Sequence, residues 1–214
     1  MYHVKEAFYT LQGEGGQAGR ASVFCRFSGC NLWSGREQDR ATAACRFCDT
    51  DFVGTDGQHG GRFADATALA EHLTRLWPDQ EGIATPYVVF TGGEPLLQLD
   101  AALLRAMHEQ GFEVAVETNG TLPAPAGIDW LCVSPKGSTP LVLSAGDELK
   151  LVYPQTEAPP ERFTRLDFRH FFLQPMDTTP GGGGGNTVAA TVDYCLAHPQ
   201  WRLSLQTHKI TGID

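Results

Sequence analysis

The sequence has 214 residues, 42% hydrophobic and 19% charged, which predicts one globular domain spanning 1–214. The 16 Lys and Arg residues against 25 Asp and Glu give a formal net charge of −9, and no dense basic run occurs, which argues against nucleic acid as a partner. No stretch of about 18 apolar residues occurs and no secretion signal opens the chain, so we expect a cytoplasmic protein with no membrane partner.

Apolar runs of strand length alternate with segments that carry apolar residues at helical spacing. Strands are predicted at 22–27, 87–91, 113–117, 130–134, 149–153, 171–174 and 202–205. Helices are predicted around Ala66, Leu69, Leu73 and Leu76, around Leu103, Ala106 and Met107, and around Val188, Val192, Cys195 and Leu196. This alternation predicts a mainly parallel sheet, although the span 120–171 offers no convincing amphipathic helix. The expected fold is α/β, an incomplete, helix-poor parallel (β/α) barrel.

Polar or glycine-rich segments follow several of these strands. They read Thr-Gly-Gly-Glu-Pro at 91–95, Glu-Thr-Asn-Gly at 117–120, Ser-Pro-Lys at 134–136 and Gln-Pro-Met-Asp at 174–177. Because the carboxyl ends of parallel strands meet at one edge of a sheet, we expect these segments to converge on one rim.

The spacing of three cysteines indicates a metal site. Cys30 follows the first predicted strand, 14 residues separate it from Cys45, and two more separate Cys45 from Cys48. Three thiolates can hold three irons of a cubane cluster and leave the fourth iron without a protein ligand. The alternative is a structural zinc site with Cys25 as the fourth ligand. Cys25 lies mid-strand with its side chain opposite to that of Arg26, however, where a buried free cysteine is the commoner outcome.

The cysteine triad, Phe47 just before the last cysteine and the Gly-Gly-Glu-Pro sequence at 92–95 together resemble the radical S-adenosylmethionine (SAM) superfamily. The first cysteine spacing in that superfamily is normally shorter than the 14 residues found here. Both this enlarged cluster loop, 31–44, and the opening motif Phe-Tyr-Thr-Leu-Gln-Gly-Glu-Gly at 8–15 resemble the 7-carboxy-7-deazaguanine synthases. The likeness extends from residue 8 to residue 209 and implies a barrel of the radical SAM type.

This resemblance implies an activity, its cofactors and its partners. The reaction would be the radical-mediated ring contraction of 6-carboxy-5,6,7,8-tetrahydropterin to 7-carboxy-7-deazaguanine with loss of ammonia, on the route to queuosine and other 7-deazapurines. The cofactors would be a 4Fe-4S cluster, SAM and Mg²⁺, and the partners an electron donor such as a flavodoxin or ferredoxin and a second copy of the chain in a homodimer. Two rivals stay open: a glycyl-radical activating enzyme, which ordinarily keeps the short cysteine spacing, and a zinc-stabilised binding module without catalysis.

The resemblance also implies roles for individual residues, none of them catalytic beyond binding cofactor or substrate. Cys30, Cys45 and Cys48 would hold the cluster, and Thr50 would anchor Mg²⁺. The residues expected to contact SAM are Phe47, Cys48, Asp49, Gly92, Gly93, Glu94, Ser134, Pro135, Lys136, Gln174, Pro175, Met176 and Asp177. The residues expected to contact the substrate are Leu11, Gln12, Gly13, Glu14, Arg26, Thr91, Glu117, His208 and the terminal carboxylate of Asp214.

Elementary chemistry supports part of this assignment. Gln12 and Glu14 could match the donor and acceptor row of a pterin edge, and Arg26 could form a bidentate pair with the substrate carboxylate. Each has a plain alternative: a glycine-flanked turn for Gln12 and Glu14, an ion pair for Arg26, a cap after the cysteines for Thr50, and a core or surface position for His208.

Overall fold

The computed structural model describes residues 1–78, 82–177 and 185–213, without the side chains of residues 185 and 186. The strands are β1 (Tyr2–Leu11), β2 (Ala21–Phe27), β3 (Gly61–Phe63), β4 (Tyr87–Gly92), β5 (Glu113–Thr118), β6 (Trp130–Val133), β7 (Ala145–Tyr153), β8 (Asp167–Pro175) and β9 (Trp201–Leu203). The helices are α1 (Ala66–Thr74), α2 (Ala101–Glu109), α3 (Gly185–Ala197) and α4 (Thr207–Thr211).

All nine strands belong to one sheet, in the order β3-β1-β2-β4-β5-β6-β7-β8-β9. From β2 to β9 each strand is parallel to its neighbour, whereas β1 is antiparallel to both β2 and β3. The predicted mainly parallel α/β sheet is therefore confirmed. The sequence prediction missed β1 because a bulge between Val4 and Glu6 breaks its alternation, so that Ala7 and not Glu6 continues the buried row.

Helices α1 and α2 cover the outer face of the sheet. Leu69 and Leu73 of α1 and Leu103 and Met107 of α2 are fully buried in one core cluster with residues of β2, β4 and β5. In the described chain between β5 and β8, the only helical element is the short 3-10 turn Pro160–Arg162, as the helix-poor prediction requires. No helix within the described ranges is long and apolar enough to cross a membrane.

Helix α3 packs against the second core cluster through Tyr194 and Cys195. Of the stripe predicted for this helix, Val188 and Leu196 are exposed, so the apolar face is narrower than the sequence pattern indicated.

The side chains on the other face of the parallel strands, away from α1 and α2, point into the barrel. Near the amino ends of β4 and β5 the interior is apolar, with Tyr87, Val89 and Ala115 in a small buried cluster. Towards the carboxyl ends it becomes polar. This polar upper half is where the sheet can hold a ligand.

The barrel is incomplete because β3 and β9 end the sheet and do not pair with each other in the described chain. The segment that follows β1 crosses this gap. The backbone N–H of Thr207 donates to the carbonyl of Gly13 at 2.9 Å, and the backbone N–H of Gly15 donates to Ser204 Oγ at 2.9 Å. The motif after β1 therefore reaches the interior from the open side, and not from the rim loops as the other motifs do.

Candidate active site

A cavity of about 440 Å³ lies at the carboxyl ends of the parallel strands. The predicted site residues that line it are Leu11, Gln12, Gly13, Glu14, Arg26, Cys45, Phe47, Cys48, Asp49, Thr50, Thr91, Gly92, Gly93, Glu117, Ser134, Lys136, Gln174, Pro175, Asp177 and His208. The predicted residues that do not line it are Cys30, Glu94, Pro135 and Met176, while Asp214 lies outside the described residues. The prediction missed Glu6, Phe8, Phe24, Asp51, Thr118, Asn119, Lys150, Val152, Gln206 and Lys209.

Cys30, Cys45 and Cys48 form a thiol corner at one side of the cavity. Cys45 donates its S–H to Cys48, and this bond lowers the pKa of Cys48, aided by the Thr50 backbone N–H and Lys136 against the opposing effect of burial. Cys30 accepts a hydrogen bond from the backbone N–H of Leu32 at 3.4 Å. The thiolate is the form of cysteine that binds a metal, and burial raises the pKa of Cys30.

The spread of the three sulfur atoms argues against a single zinc ion. Among the described residues, only Glu117, Cys132 and Glu148 bring three ligand atoms within 4.8 Å of one another. Thiolates around one zinc ion lie about 3.8 Å apart, given a Zn–S distance of about 2.3 Å. Cys25 is fully buried in the outer core cluster, as predicted for a free cysteine, and cannot complete a zinc site. Three thiols that do not all lie within 4.8 Å of one another, with no fourth cysteine beside them, fit an iron-sulfur cluster better.

Glu94 supports the site from behind. It is fully buried and accepts hydrogen bonds from Thr118 Oγ1 at 2.7 Å, the Asn119 backbone N–H at 2.8 Å and the Leu96 backbone N–H at 2.9 Å. Burial raises its pKa, and these donors oppose that shift. The carboxylate therefore fixes the end of β5 against the end of β4.

Three residues predicted to bind SAM gather beside the thiol corner. Lys136 Nζ donates to Ser134 Oγ at 2.6 Å and stands 5.9 Å from the centre of the Phe47 ring. The loop after β6 and the cysteine segment thus present an ammonium group, a hydroxyl and an aromatic ring to the same part of the cavity.

A network of carboxylates and amides, here called the acceptor wall, lines the side of the cavity opposite the thiol corner. Gln12 Nε2 donates to Glu117 Oε1 at 3.3 Å, and Gln12 Oε1 accepts from the Glu14 backbone N–H at 3.1 Å. Lys150 Nζ lies 2.8 Å from Glu14 Oε2 and 2.8 Å from Glu117 Oε2. Burial disfavours an ionised Glu14, but Lys150 and Gln206 outweigh it and lower the pKa of Glu14 to about 2.

The side chain of Gln174 belongs to this wall. Its Nε2 donates to Glu14 Oε1 at 3.1 Å and its Oε1 accepts from Ser204 Oγ at 3.4 Å. Since the amide is buried and engaged at both ends, it orients Glu14.

Arg26 pairs with a neighbouring glutamate and still reaches the cavity. Its Nε donates to Glu6 Oε1 at 2.7 Å, so it forms the ion pair, and the residue also lines the cavity. The β1 bulge turns Glu6 inward to meet it.

His208 packs on Gly13, where an added Cβ would come within 2.3 Å of His208 Nδ1, and burial lowers the pKa of His208.

Two missed lysines organise the site. Lys209 pairs with Asp49 at 2.9 Å and with Asp177 at 2.8 Å, and so links the cysteine segment, the loop after β8 and α4. Lys150 could have been found, because Glu148 and Lys150 interrupt a strand whose central place in a parallel sheet calls for apolar side chains on both faces.

Comparison with known proteins identifies the family. Residues 38–149 match the radical SAM superfamily. The chain is 68% identical over 212 residues to the 7-carboxy-7-deazaguanine synthase of Bordetella pertussis, covering 99% of each chain. It is 62% identical over 215 residues to the enzyme of that name from Caulobacter vibrioides, again with 99% of each chain covered.

A solved structure agrees with these relatives. The crystal structure of QueE from Escherichia coli superposes with a TM-score of 0.70 at 26% identity, covering 96% of this chain and 93% of that one. These matches decide against the zinc-stabilised binding module and the glycyl-radical activating enzyme. The chain belongs to the radical SAM superfamily and, within it, to the family of 7-carboxy-7-deazaguanine synthases.

Proposed function

We propose that this enzyme converts 6-carboxy-5,6,7,8-tetrahydropterin to 7-carboxy-7-deazaguanine in 7-deazapurine biosynthesis. Family membership supports the reaction, and one structural observation supports its location in the cavity. A single cavity joins the thiol corner of Cys45 and Cys48 to the acceptor wall of Glu14 and Glu117. A radical enzyme needs this proximity, because the atom that loses hydrogen must be held beside the cofactor and away from water.

Membership of the radical SAM superfamily implies a 4Fe-4S cluster and SAM. Cys30, Cys45 and Cys48 are the ligands we assign to the cluster, whose three-thiolate set leaves one iron for SAM. When bound, the two cofactors supply the radical that starts the ring contraction. Lys136 and Ser134 are placed to hold polar groups of SAM.

The substrate would lie against the acceptor wall. Carboxylates accept hydrogen bonds only, so Glu14 and Glu117 suit the N–H groups of a pterin, with Gln12 adding an amide. Arg26 supplies a cation for the substrate carboxylate, and Thr91 and His208 complete the contacts. Phe8 and Phe24, whose rings stack at 5.7 Å, give the cavity an apolar side that excludes water.

The reaction itself is the direct test. Protein reconstituted anaerobically with iron and sulfide, then incubated with substrate, SAM, Mg²⁺ and a reductant, should form 7-carboxy-7-deazaguanine, detected by mass spectrometry. A preparation with a full cluster that cleaves SAM but yields no deazapurine would refute the assignment.

Mg²⁺ fits a position beside the cysteines, and we assign Thr50 as its protein ligand. Thr50 lines the cavity between Asp49 and Asp51, which are held at 2.9 Å by Lys209 and Lys5. A hard cation prefers oxygen ligands and keeps several positions for water and substrate. A single hydroxyl with the substrate carboxylate would therefore suffice.

Thr50→Val, which removes the hydroxyl but keeps the shape, should raise the Mg²⁺ concentration for half-maximal activity roughly tenfold, the equivalent of about 1.4 kcal/mol. Iron content should not change. Thr50→Ser keeps the hydroxyl and should behave like the parent enzyme. An unaltered Mg²⁺ response in Thr50→Val would show that the ion is bound elsewhere.

The remaining assignments rest on family likeness. We propose a single domain over 1–214 with an enlarged cluster loop at 31–44, a homodimer in the cytoplasm, and a flavodoxin or ferredoxin as electron donor. Within the loop, Trp33 is buried against Phe52 with ring centres 5.6 Å apart, and Arg40 stacks on Trp33 at 4.1 Å. These contacts give the loop a fixed shape next to the cysteines. Sedimentation at several concentrations would test the dimer.

A further inference from the structure

A buried ammonium group stands at the centre of the acceptor wall. Lys150 lies on β7, its side chain is 4% exposed, and its Nζ meets Glu14 Oε2 at 2.8 Å and Glu117 Oε1 and Oε2 at 2.9 and 2.8 Å. The two carboxylates come from the segment after β1 and from β5, which are far apart in sequence. An ammonium group has three N–H donors and no acceptor, so three carboxylate oxygens account for all of them.

The charges in this cluster depend on one another. Burial acts to lower the pKa of Lys150, but Cys132, Glu117 and Glu14 raise it well above its ordinary value. An isolated carboxylate or ammonium group buried in this way would neutralise itself. Glu14 and Glu117 therefore keep Lys150 protonated, and Lys150 lowers the pKa of Glu14.

The same strand also fixes the backbone of the motif that carries Glu14. Glu148, two residues before Lys150, accepts a hydrogen bond from the Gly16 backbone N–H at 2.7 Å. A Cβ on Gly15 would lie 2.3 Å from Glu148 Oε1, so the turn packs directly on this carboxylate. Strand β7 thus holds the turn at Gly16 and the side chain of Glu14.

Glu14 has little freedom left once these contacts are made. Its Oε1 accepts from Gln174 Nε2 at 3.1 Å and from Gln206 Nε2 at 3.0 Å, while Oε2 is paired with Lys150. The orientation of the carboxylate is therefore set before any ligand arrives, which is the condition for precise recognition at low entropic cost.

Building on the proposed function, we propose that Lys150 is a positioning and specificity-determining residue that fixes Glu14 and Glu117 as a rigid acceptor pair for the donor edge of the pterin. The pair accepts hydrogen bonds and cannot donate them, so it selects a ring with an amino group at C2. A ring with a carbonyl oxygen at C2 would place acceptor against acceptor. Such a mismatch leaves buried polar groups unpaired and discriminates strongly.

The test compares two stable ligands, 6-carboxypterin and 6-carboxylumazine, which differ in bearing an amino group or an oxygen at C2. Their affinities for the reconstituted enzyme with SAM and Mg²⁺ are measured by anaerobic calorimetry. Lys150→Met should bind 6-carboxypterin on the order of 100-fold more weakly than the parent enzyme, because Glu14 and Glu117 lose the ammonium group that fixes their orientation. Its preference for 6-carboxypterin over 6-carboxylumazine should fall to within a few-fold, since carboxyl groups that can turn no longer present fixed acceptors to the C2 substituent. Lys150→Arg should recover part of both.

Two controls separate recognition from folding. Arg20→Met removes a partly buried ion pair with Glu113, at 2.6 Å, that is not part of the cavity, and it should leave both ligand affinities unchanged. The double variant Glu14→Gln/Lys150→Met removes one carboxylate together with the lysine. It leaves less unpaired buried charge than Lys150→Met, and it therefore replaces that variant if Lys150→Met fails to fold. The loss of affinity in the double variant should be clearly smaller than the sum of the two single losses in free energy, because Glu14 and Lys150 are coupled, although Glu117 still loses its lysine.

The outcomes are distinct. A folded Lys150→Met protein with parental affinity and parental preference would overturn the inference, as would fully additive losses in the double variant. If the parent enzyme itself binds neither ligand and forms no deazapurine, the proposed function fails instead. Iron content and SAM cleavage without substrate should be the same in all variants, since Lys150 pairs with Glu14 and Glu117 and not with Cys30, Cys45 or Cys48.

Discussion

Cys30→Ala, Cys45→Ala and Cys48→Ala should each reduce the iron content of reconstituted protein from about four atoms per chain to near background. Each substitution removes one of three thiolates. A cubane cluster with only two protein ligands has two irons exposed to solvent and to ligand exchange. Product formation should fall below detection in all three variants. Iron and sulfide analysis, together with the spectrum of the reduced cluster, provides the measurement.

Cys25→Ala is the matched control. Cys25 is fully buried in the core cluster between the sheet and its helices, away from the cavity, and burial raises the pKa of its thiol. Removing one buried sulfur should cost only about 1–2 kcal/mol of stability and leave iron content intact. Loss of iron in Cys25→Ala, or one zinc per chain in the parent protein, would instead indicate a four-cysteine site.

Much of the parallel sheet could be predicted because it depends on local patterns. Strands such as β4 and β5 are short apolar runs, and α1 and α2 carry apolar residues at helical spacing that meet one core. In contrast, β1 could not be read from periodicity, since its bulge shifts the alternation by one residue. Its antiparallel direction was equally hidden, so the route by which Gln12 and Glu14 reach the cavity was not foreseen.

The residues of the site could be listed more readily than their roles. Motifs brought Gln12, Glu14, Glu117 and Gln174 to attention, and the structure places all of them on one wall. Which of them face a ligand and which hold a neighbour depends on contacts across the barrel. Lys150 and Glu14, for example, are 136 residues apart in the sequence (150 minus 14). No local sequence pattern indicates that such distant residues form a pair.

Gly93→Ala should reduce both stability and cluster binding. A Cβ at residue 93 would lie 2.2 Å from the carbonyl oxygen of Gly29 and 2.7 Å from the Cβ of Cys30. The backbone cannot move apart here at low energetic cost, because the Glu94 backbone N–H also donates to the Gly29 carbonyl at 2.9 Å. The methyl group must therefore push the Gly29 and Cys30 backbone away from the end of β4, at a cost of about 2–3 kcal/mol.

This displacement moves a cluster ligand, so its effect should exceed the loss of stability. We expect the melting temperature of Gly93→Ala to fall by roughly 5–10 °C, iron loading to fall by more than half, and activity per iron to fall further. Gly61→Ala is the control, since the nearest atom to its added Cβ is Phe63 Cε2 at an ordinary 3.6 Å. It should melt within about 2 °C of the parent and load iron normally. Normal iron loading in Gly93→Ala would mean that Cys30 does not depend on the close approach of β4.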